Sequence, residues 1–281
     1  MILIADSGST NTDWVIVNHD KAIGDFTTKG FNPYFTTDKE IYDELESKFP
    51  KEIKISDIRY IYFYGSGCSS LENKKIIYDA LKGYFKNSNL EVNTDLLAAS
   101  RALFMNNQGI AVILGTGANT GFYDGLSIIK NIPSLGYILG DEGGGDYLGK
   151  LFITELLYDN IPENIEQKFK QTYKLSKQQI MHAIYKEPNP NRFLASFCKF
   201  IAEHKNEHFI ENLILKSFSD LFDKHITKYE NYTDLKIRVI GSVGFYFQSQ
   251  LKVVAEKYNA NIDLIEKNPI NRLVQYHIQN K

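Results

Sequence analysis

A short polar stretch near the start of the chain, ADSGSTNTDW (residues 5–14), has the residue types of a phosphate-binding loop and lies between two apolar runs. Gly8 lacks a β-carbon, so a ligand can approach the backbone and neighbouring N–H groups can point outward together. Asp6, at the end of the first apolar run, is placed to bind a hydrated Mg²⁺ that bridges phosphate oxygens. Further hydrogen-bond donors come from Ser7, Ser9, Thr10, Asn11 and Thr12.

A second turn of the same kind, GTGANT (115–120), follows a later apolar run. Two such hairpins facing each other would hold a triphosphate from both sides. Each turn is also an ordinary hairpin connection, in which Gly, Ser, Asn and Asp are favoured for conformational reasons. From these residues alone, both interpretations stay open. The second turn offers Gly115, Thr116 and Gly117, with Asn119 and Thr120 beyond them.

Three further segments could take part in catalysis or ligand binding. Asp95 follows a short strand and begins a helix, which also suits an ordinary N-cap. The segment LGYILGDEGGGDYLG (135–149) holds five glycines within ten residues, and a loop this flexible costs entropy to order. Ligand access accounts for it better than a sharp turn between domains. The segment VIGSVGFYF (239–247) predicts a strand, a turn and a helix, whose backbone could receive a flat ring or a phosphate.

The elements that must position these residues follow the same order in both halves of the chain. Strands are predicted at 2–6, 13–17 and 22–28, then a helix at 38–49, a strand at 58–65, a helix at 70–86, a strand at 90–92 and a helix at 95–104. Strands at 109–115, 120–124 and 126–132 follow, then mostly helix from 142 to 228, a strand at 236–241, a helix, a strand at 261–265 and a helix after Pro269. We therefore predict two lobes, residues 1–108 and 109–281, with the last helix free to pack back on the first lobe.

The bulk properties predict a cytoplasmic globular protein. Of the 281 residues, 43% are hydrophobic and 23% are charged, and the net charge of −2 argues against a nonspecific nucleic-acid surface. Cys68 and Cys198 are too far apart for a disulfide framework or a metal-ligand motif. Asp6 interrupts the first apolar run, which argues against a signal peptide. An apolar stretch of about 20 residues, as a membrane span requires, is not found.

Taken in order, these motifs resemble those of the actin/hexokinase/Hsp70 superfamily. Within it, the chain resembles the N-acetylglucosamine kinases of the BadF/BadG/BcrA/BcrD ATPase family along nearly its whole length. The motifs DSGSTNTDW, LGTGANT and LGDEGGG carry the resemblance, supported by GSVG and NPINRLVQYH (268–277). The resemblance implies an α/β fold of two ribonuclease H-like, actin-like ATPase lobes with an interlobe cleft.

The resemblance also implies roles for the matched positions. Asp6 would hold the water shell of Mg²⁺, and Asp95 would be the general base on the sugar hydroxyl. ATP would be bound by Gly8, Ser9, Thr10, Asn11, Gly115, Thr116, Gly117, Gly241, Ser242 and Val243. The sugar would be bound by Asn32, Asp95, Asn119, Gly136 and Asp141, with the GSG segment at 65–67 on the floor of its cleft.

The chain departs from the family pattern in two places. Mammalian-type members carry a Trp between glycines where this chain has Ser134-Leu135-Gly136, which leaves the sugar open among N-acetylglucosamine, glucosamine and N-acetylmuramic acid. Members that activate acyl-CoA dehydratases bridge two subunits through an iron–sulfur cluster, for which Cys68 and Cys198 form no matching pair.

The predicted function is therefore ATP-dependent phosphorylation of an amino sugar, foremost N-acetylglucosamine to its 6-phosphate. An ATPase that activates a partner enzyme and a sugar-sensing protein without transferase activity are the alternatives. The presence of both Asp6 and Asp95 argues against the sensor. The expected partner is a small amino sugar rather than nucleic acid or membrane, and the oligomeric state stays open, with a homodimer as one option.

Overall fold

The computed structural model describes residues 1–8 and 10–280. These residues form two compact units. The first comprises Met1–Asn107, Gly125–Ile128 and Asn268–Lys281, and the second comprises Gln108–Asp124 and Ile129–Lys267. Ser9, one of the predicted phosphate ligands, lies outside the described residues.

The elements of the first hundred residues follow the predicted order. They are β1 (Ile2–Ser7), β2 (Asn11–Asn18), β3 (Lys21–Lys29), α1 (Asp38–Lys48), β4 (Tyr60–Gly65), α2 (Leu71–Tyr84), β5 (Asn89–Thr94) and α3 (Asp95–Phe104). Helix α1 begins with a capping box, in which Thr37 and Glu40 exchange side-chain and backbone hydrogen bonds.

The rest of the chain repeats the three leading strands and then becomes mostly helical. Its elements are β6 (Gly109–Leu114), β7 (Ala118–Tyr123), β8 (Ile128–Ile132), α4 (Gly136–Leu139), α5 (Gly145–Leu157), α6 (Glu163–Tyr173), α7 (Lys177–Tyr185), α8 (Pro190–Ser196), α9 (Cys198–Glu203), α10 (His208–Lys224), β9 (Lys236–Ile240), α11 (Ser242–Tyr246), α12 (Gln248–Lys257), β10 (Asn261–Glu266) and α13 (Ile270–Gln279). Among the helices of the described residues, none is both long enough and apolar enough to span a membrane.

Each unit is built on one five-stranded mixed sheet, and the two sheets share one topology. The first has the order β3-β2-β1-β4-β5, with β1, β4 and β5 parallel and β2 antiparallel to its neighbours. The second has the order β10-β9-β6-β7-β8, with β6, β9 and β10 parallel and β7 antiparallel to β6. The predicted fold class is confirmed.

The side-chain alternation of the first sheet explains how its two faces are covered. Trp14 and Ile16 face a core closed by α1 and α2. The alternate residues Val15 and Val17 face the opposite core, where α3 and α13 pack. The first unit therefore needs the last helix of the chain to complete its core. The second unit has one large core, contributed by β6, β9 and helices α5 to α12.

Candidate active site

The first polar turn connects β1 to β2, and it is closed by a hydrogen bond from the Gly8 N–H to the Asn11 carbonyl at 2.9 Å. Gly8, Thr10 and Asn11 are exposed, as a ligand-binding turn requires. A β-carbon at Gly8 would meet only the Asn11 carbonyl oxygen, at an ordinary 3.7 Å. The turn thus leaves the space outside Gly8 open to a ligand.

Two hydroxyl groups expected to serve a ligand instead brace the hairpin, so that part of the prediction is wrong. Ser7 and Thr12 are fully buried and bond to each other, with 2.7 Å between Oγ and Oγ1. Thr12 also donates to the Lys29 carbonyl, and Ser7 accepts from the Phe31 N–H. The strand register places both side chains inside the sheet, where they hold the start of the next segment.

Three carboxylates lie on one face of the first sheet. Asp6 and Asp13 are directly opposite each other in the β1–β2 ladder. Because alternate side chains share a face, Asp6 lies on the same face as Ile4, which α3 covers. Asp95 is the first residue of α3, and all three carboxylates are half-buried.

The electrostatics of this face reflect its excess of negative charge. Burial, followed by the charges of Asp95 and Asp13, raises the pKa of Asp6 to about 7. Burial also raises the pKa of Asp95, against the effect of hydrogen bonds from backbone N–H groups. The face therefore favours either a proton or a cation, and Asp95 is a stronger base here than an exposed aspartate.

The N-cap of α3 is Thr94 and not Asp95, so the helix-cap interpretation of Asp95 is wrong. The Thr94 side chain accepts from the Leu97 N–H at 3.2 Å. Asp95 follows it and accepts from the Leu96 N–H through Oδ1 at 2.8 Å. The helix begins at Asp95, as predicted, and the preceding Thr94 is its cap, which frees Asp95 from the capping role.

A magnesium ion fits the Asp6 side of this face. In residues 1–8 and 10–280, no group of three or more His, Cys, Asp or Glu side chains could hold a metal. A cation here would therefore take most of its ligands from water and phosphate, as Mg²⁺ commonly does. Burial and the charges of Asp95 and Asp13 raise the pKa of Asp6, and a bound cation would offset these effects.

Asn32 and the GSG segment after β4 are brought together. The Asn32 side-chain oxygen would lie 2.8 Å from a β-carbon at Gly67, whose φ is +82°. The same oxygen accepts from the Tyr34 N–H at 3.0 Å. β1, β4 and β5 run parallel, so the segments after Ser7 and Gly65 leave the sheet at the same edge as Asp95. The predicted residues of the first unit that the structure describes therefore lie at one end of the sheet.

In the second unit, the Gly115–Gly117 turn is a docking surface for the start of α5. The N–H groups of Gly145 and Asp146 donate to the carbonyls of Gly115 and Thr116, at 2.9 and 2.7 Å. A β-carbon at Gly144 would lie 2.6 Å from the Gly117 carbonyl carbon. The glycine-rich loop therefore needs its small residues partly for this close backbone approach.

Asp141 is held between this turn and the loop that contains Gly136. Its N–H donates to the Ser134 carbonyl at 2.8 Å, and its Oδ1 accepts from the Ala118 N–H at 3.3 Å. Its own φ is +61°, a left-handed conformation that side chains rarely adopt. Gly136, with φ +74°, begins the short helix α4 between Ser134 and Asp141. These predicted sugar ligands thus belong to one closed loop.

The segment after β9 leaves the second sheet at the same end as the Gly115–Gly117 turn, because β6 and β9 are parallel neighbours. Gly241 has φ +119°, and a β-carbon there would lie 2.3 Å from the Leu114 carbonyl oxygen. Ser242 is exposed, whereas the Val243 side chain is buried in the core. Val243 can therefore offer a ligand only its backbone.

Asn119 is not brought to the other predicted sugar ligands by any described contact. It lies in β7 opposite Ile113, and its Oδ1 accepts from Asn131 Nδ2 and from the Thr120 N–H, both at 2.9 Å. The bond from Asn131 connects β7 to β8. The Asn119 side-chain oxygen is thus engaged within the protein.

Two charged residues of these sites escaped the sequence analysis. Asp13 was visible as the second carboxylate of the DSGSTNTD stretch, and the hairpin register is the signal that pairs it with Asp6. Asp146 ends the GDEGGGD run, and its carboxyl group lies within hydrogen-bonding reach of Asp141. A count of carboxylates in the loop would have singled it out.

Comparisons with known proteins place this arrangement among sugar kinases of one fold. No family model matches the chain, and no curated protein matches it. A solved structure from Porphyromonas gingivalis, assigned as an N-acetylglucosamine kinase, has 41% sequence identity and a TM-score of 0.95, with 100% of this chain and 99% of that chain covered.

Two more distant structures share the fold. A Chromobacterium violaceum protein, also assigned as an N-acetylglucosamine kinase, has 15% identity and a TM-score of 0.74 over 98% of both chains. A Streptomyces griseus glucokinase of the ROK family, solved with glucose and AMPPNP, has 12% identity and a TM-score of 0.54 over 98% of this chain and 97% of that chain.

Proposed function

Since the chain belongs to the N-acetylglucosamine kinase-like family of the actin-like ATPase fold, we propose that it transfers the γ-phosphoryl group of ATP to a hydroxyl of an amino sugar. The favoured reaction converts N-acetylglucosamine to its 6-phosphate. The observation that carries this proposal is the position of Asp95: a half-buried carboxylate of raised pKa, not used as a helix cap, beside Asp6 at the carboxyl edge of the first sheet.

Asp95 is the proposed general base. It accepts the proton of the sugar hydroxyl as the sugar oxygen bonds to the γ-phosphorus and the bond to the leaving ADP oxygen breaks. A positioned base contributes roughly 10²–10⁴-fold to such a transfer. Burial suits Asp95 to this task, because the neutral form it reaches after accepting the proton is favoured in a poorly solvated place.

The glycine turns are the proposed phosphate ligands. In phosphoryl transfer the protein mainly aligns the reactants and neutralises charge on the transferred group. The open space at Gly8 and the exposed Thr10 and Asn11 serve this role in the first unit. The half-buried turn from Gly115 to Gly117 serves it in the second. Gly241 to Val243 are assigned to adenosine. Mg²⁺ bound through water at Asp6 would supply positive charge against the phosphates.

Asn32, Gly136 and Asp141 are the proposed sugar ligands. The Asn32 oxygen accepts from the Tyr34 N–H, and Asp141 is held by Ser134 and Ala118, so both polar groups are fixed before a substrate arrives. Such preorganisation lowers the cost of ordering the site on binding. Asn119 stays a weaker assignment, since its side-chain oxygen is already used within the protein.

The proposal is tested by ADP release with MgATP and a panel of N-acetylglucosamine, glucosamine, N-acetylmuramic acid, N-acetylmannosamine and glucose. Phosphorus NMR of the product identifies the phosphorylated hydroxyl. We expect N-acetylglucosamine to give the highest kcat/KM. ADP release that is independent of every sugar would refute the kinase proposal and favour an ATPase.

A further inference from the structure

The carboxyl groups of Asp141 and Asp146 form a pair that the protein's own donors do not satisfy. Only 1% of Asp146 is exposed, and neither of its carboxylate oxygens has a hydrogen-bond partner among the described residues. The carboxyl group of Asp141 lies within hydrogen-bonding reach of the Asp146 carboxyl group.

Two ionised carboxylates cannot bond to each other, because each can only accept a hydrogen bond. A buried pair in contact therefore holds either a shared proton or a cation. The described residues contain no group of three acidic, His or Cys side chains suited to a metal ion. The proton is the simpler solution, and it turns one of the two acids into a donor.

The surroundings decide which acid keeps the proton. Asp141 already accepts from the Ala118 N–H, and the Ser134 hydroxyl is within reach, so its anionic form is supported. Asp146 has the Tyr147 N–H and the Lys150 ammonium group nearby, but neither makes a well-formed hydrogen bond to its carboxylate oxygens. Burial and the charge of Asp141 raise the pKa of Asp146 to about 8.

The other groups around Asp146 do not change this assignment. Cys198, at the start of α9, is a neutral thiol, because burial, the largest cause, raises its pKa to about 12. Asp220 of α10 is engaged by the Tyr147 hydroxyl, at 2.8 Å. Glu142, next to Asp141, adds a further negative charge and pairs with His225.

We propose that Asp146 is a positioning residue: it donates a shared proton to Asp141 and so fixes the Asp141 carboxylate in the orientation that receives a sugar hydroxyl. This inference rests on the proposed function. Asp146 lies behind Asp141 and is buried, so it does not itself touch the sugar. Its loss leaves Asp141 without the neighbour that orients it.

Carboxyl-carbon NMR of protein labelled at aspartate tests the pair without any substrate. We expect one carboxyl carbon to titrate near pH 8, apart from that of Asp6, whose pKa is about 7. The transition near pH 8 should be lost in Asp146→Asn, whereas the Asp6 transition should remain. The matched control is Tyr147→Phe, a change on the same helix as Asp146 that removes the bond to Asp220 of α10 but leaves the pair intact. A transition near pH 8 that survives in Asp146→Asn, or its absence from the wild type, overturns the shared proton.

Kinetics test the positioning role. Asp146→Asn keeps a donor that cannot ionise, so we expect sugar kcat/KM within about threefold of wild type at pH 7 and no fall in sugar affinity above pH 8. Asp146→Leu removes the donor, and the sugar KM should rise roughly tenfold with little change in the ATP KM, the size expected for a charge-assisted hydrogen bond.

Three outcomes would overturn the role: an unchanged sugar KM in Asp146→Leu, an alkaline fall that persists in Asp146→Asn, or equal rises in both KM values. Should Asp146→Leu not fold, the pH profile of Asp146→Asn decides alone. A wild-type protein that phosphorylates no sugar refutes the proposed function and the positioning role together. The NMR titration still decides whether the acid pair exists, so the two failures are distinguishable.

Discussion

The carboxylate of Asp141 occupies the space that a side chain on Gly117 would need, since a β-carbon there would lie 2.7 Å from Oδ2. Gly115, two residues earlier in the same turn, has open space around the position of its missing β-carbon. Substitutions at the two glycines therefore test different contacts. A side chain at Gly115 would block a ligand that approaches the turn, whereas a side chain at Gly117 would displace the Asp141 carboxylate.

We expect Gly115→Ala to fold like wild type and to bind ATP at least tenfold more weakly, because the new methyl group takes the place assigned to a phosphate. Gly117→Ala should displace Asp141 and weaken both sugar and ATP binding, with a lower melting temperature. Calorimetric titration with MgATP measures the loss of ATP affinity in each variant, and thermal unfolding shows which of the two variants is also destabilised. Wild-type ATP affinity in a folded Gly115→Ala variant would contradict the phosphate assignment.

The general-base role of Asp95 can be separated from helix capping by neighbouring substitutions. Asp95→Asn keeps the size and the bond to the Leu96 N–H through the amide oxygen, but it cannot take a proton. We expect kcat to fall by roughly 10²-fold or more, with the KM values changed much less.

The matched control is Thr94→Ala, which removes the observed cap. It should lower the free energy of unfolding by about 1 kcal/mol and leave kcat near wild type. Chemical denaturation and initial-rate kinetics on both variants give the answer. Retention of more than about a tenth of the wild-type kcat in Asp95→Asn would remove Asp95 from the base role.

Ionising Asp6 should cost stability in the free protein. Its pKa is about 7 in the folded state against 3.8 for an unperturbed aspartate, so the folded state binds the proton more tightly. The resulting stabilisation is present below pH 3.8 and is lost as the pH rises through 7.

Asp6→Asn should therefore become more stable relative to wild type as the pH is raised across this window. Urea denaturation of both proteins at several pH values, without nucleotide or divalent cation, measures the difference. Added MgCl₂ should reduce the difference in free energy of unfolding between the two proteins by stabilising only the wild type. A difference that does not depend on pH would show that the pKa of Asp6 is not raised in the folded protein.

Because of His277, we expect the free energy of unfolding of the first unit to fall at acid pH. Its Nε2 and the Tyr64 hydroxyl are hydrogen-bonded at 2.9 Å, and its ring stacks on Tyr62 with centroids 3.9 Å apart. Burial, then the charge of Arg101, lowers the pKa of His277 from 6.5 to about 3. A lowered histidine pKa means that stability is lost as the pH falls below 6.5.

His277→Phe keeps the stacking ring but loses the hydrogen bond. At pH 8 we expect it to be about 1 kcal/mol less stable than wild type. At pH 5 the deficit should shrink, because the variant has no imidazole to keep neutral. Denaturation curves at the two pH values check this, and a deficit that grows with acid would show that the histidine is protonated in the fold.

Much of the fold could be predicted because its signals are local. The Gly-rich polar turns between apolar runs fix both leading hairpins. Every strand and helix predicted in the first hundred residues is found, α3 with the predicted bounds and the others with ends shifted by one to a few residues. The N-cap residue of α3 could not be predicted from the sequence, because Thr94 and Asp95 are adjacent residues of similar capping ability. The backbone conformation makes Thr94 the cap.

The site residues were harder to predict wherever packing decides the role. Ser7 and Thr12 have the chemistry of ligands, but the register of β1 and β2 turns them into the sheet. Val243 is in a matching motif, yet its side chain belongs to the core. The contact between Asp141 and Asp146 depends on α5 docking against a turn some thirty residues earlier, which no local pattern records.

The position of α13 has a consequence for how the protein is made. The face of the first sheet that carries Ile4 and Val17 is covered partly by α3 and partly by Leu273 and Val274 of α13, which are translated after the whole second unit. While the second unit is being synthesised, the α13 part of this cover has not yet been made. A nascent chain stalled before residue 268 should thus expose part of an apolar sheet face that chaperones can bind, and the first unit, begun before the second, is completed after it.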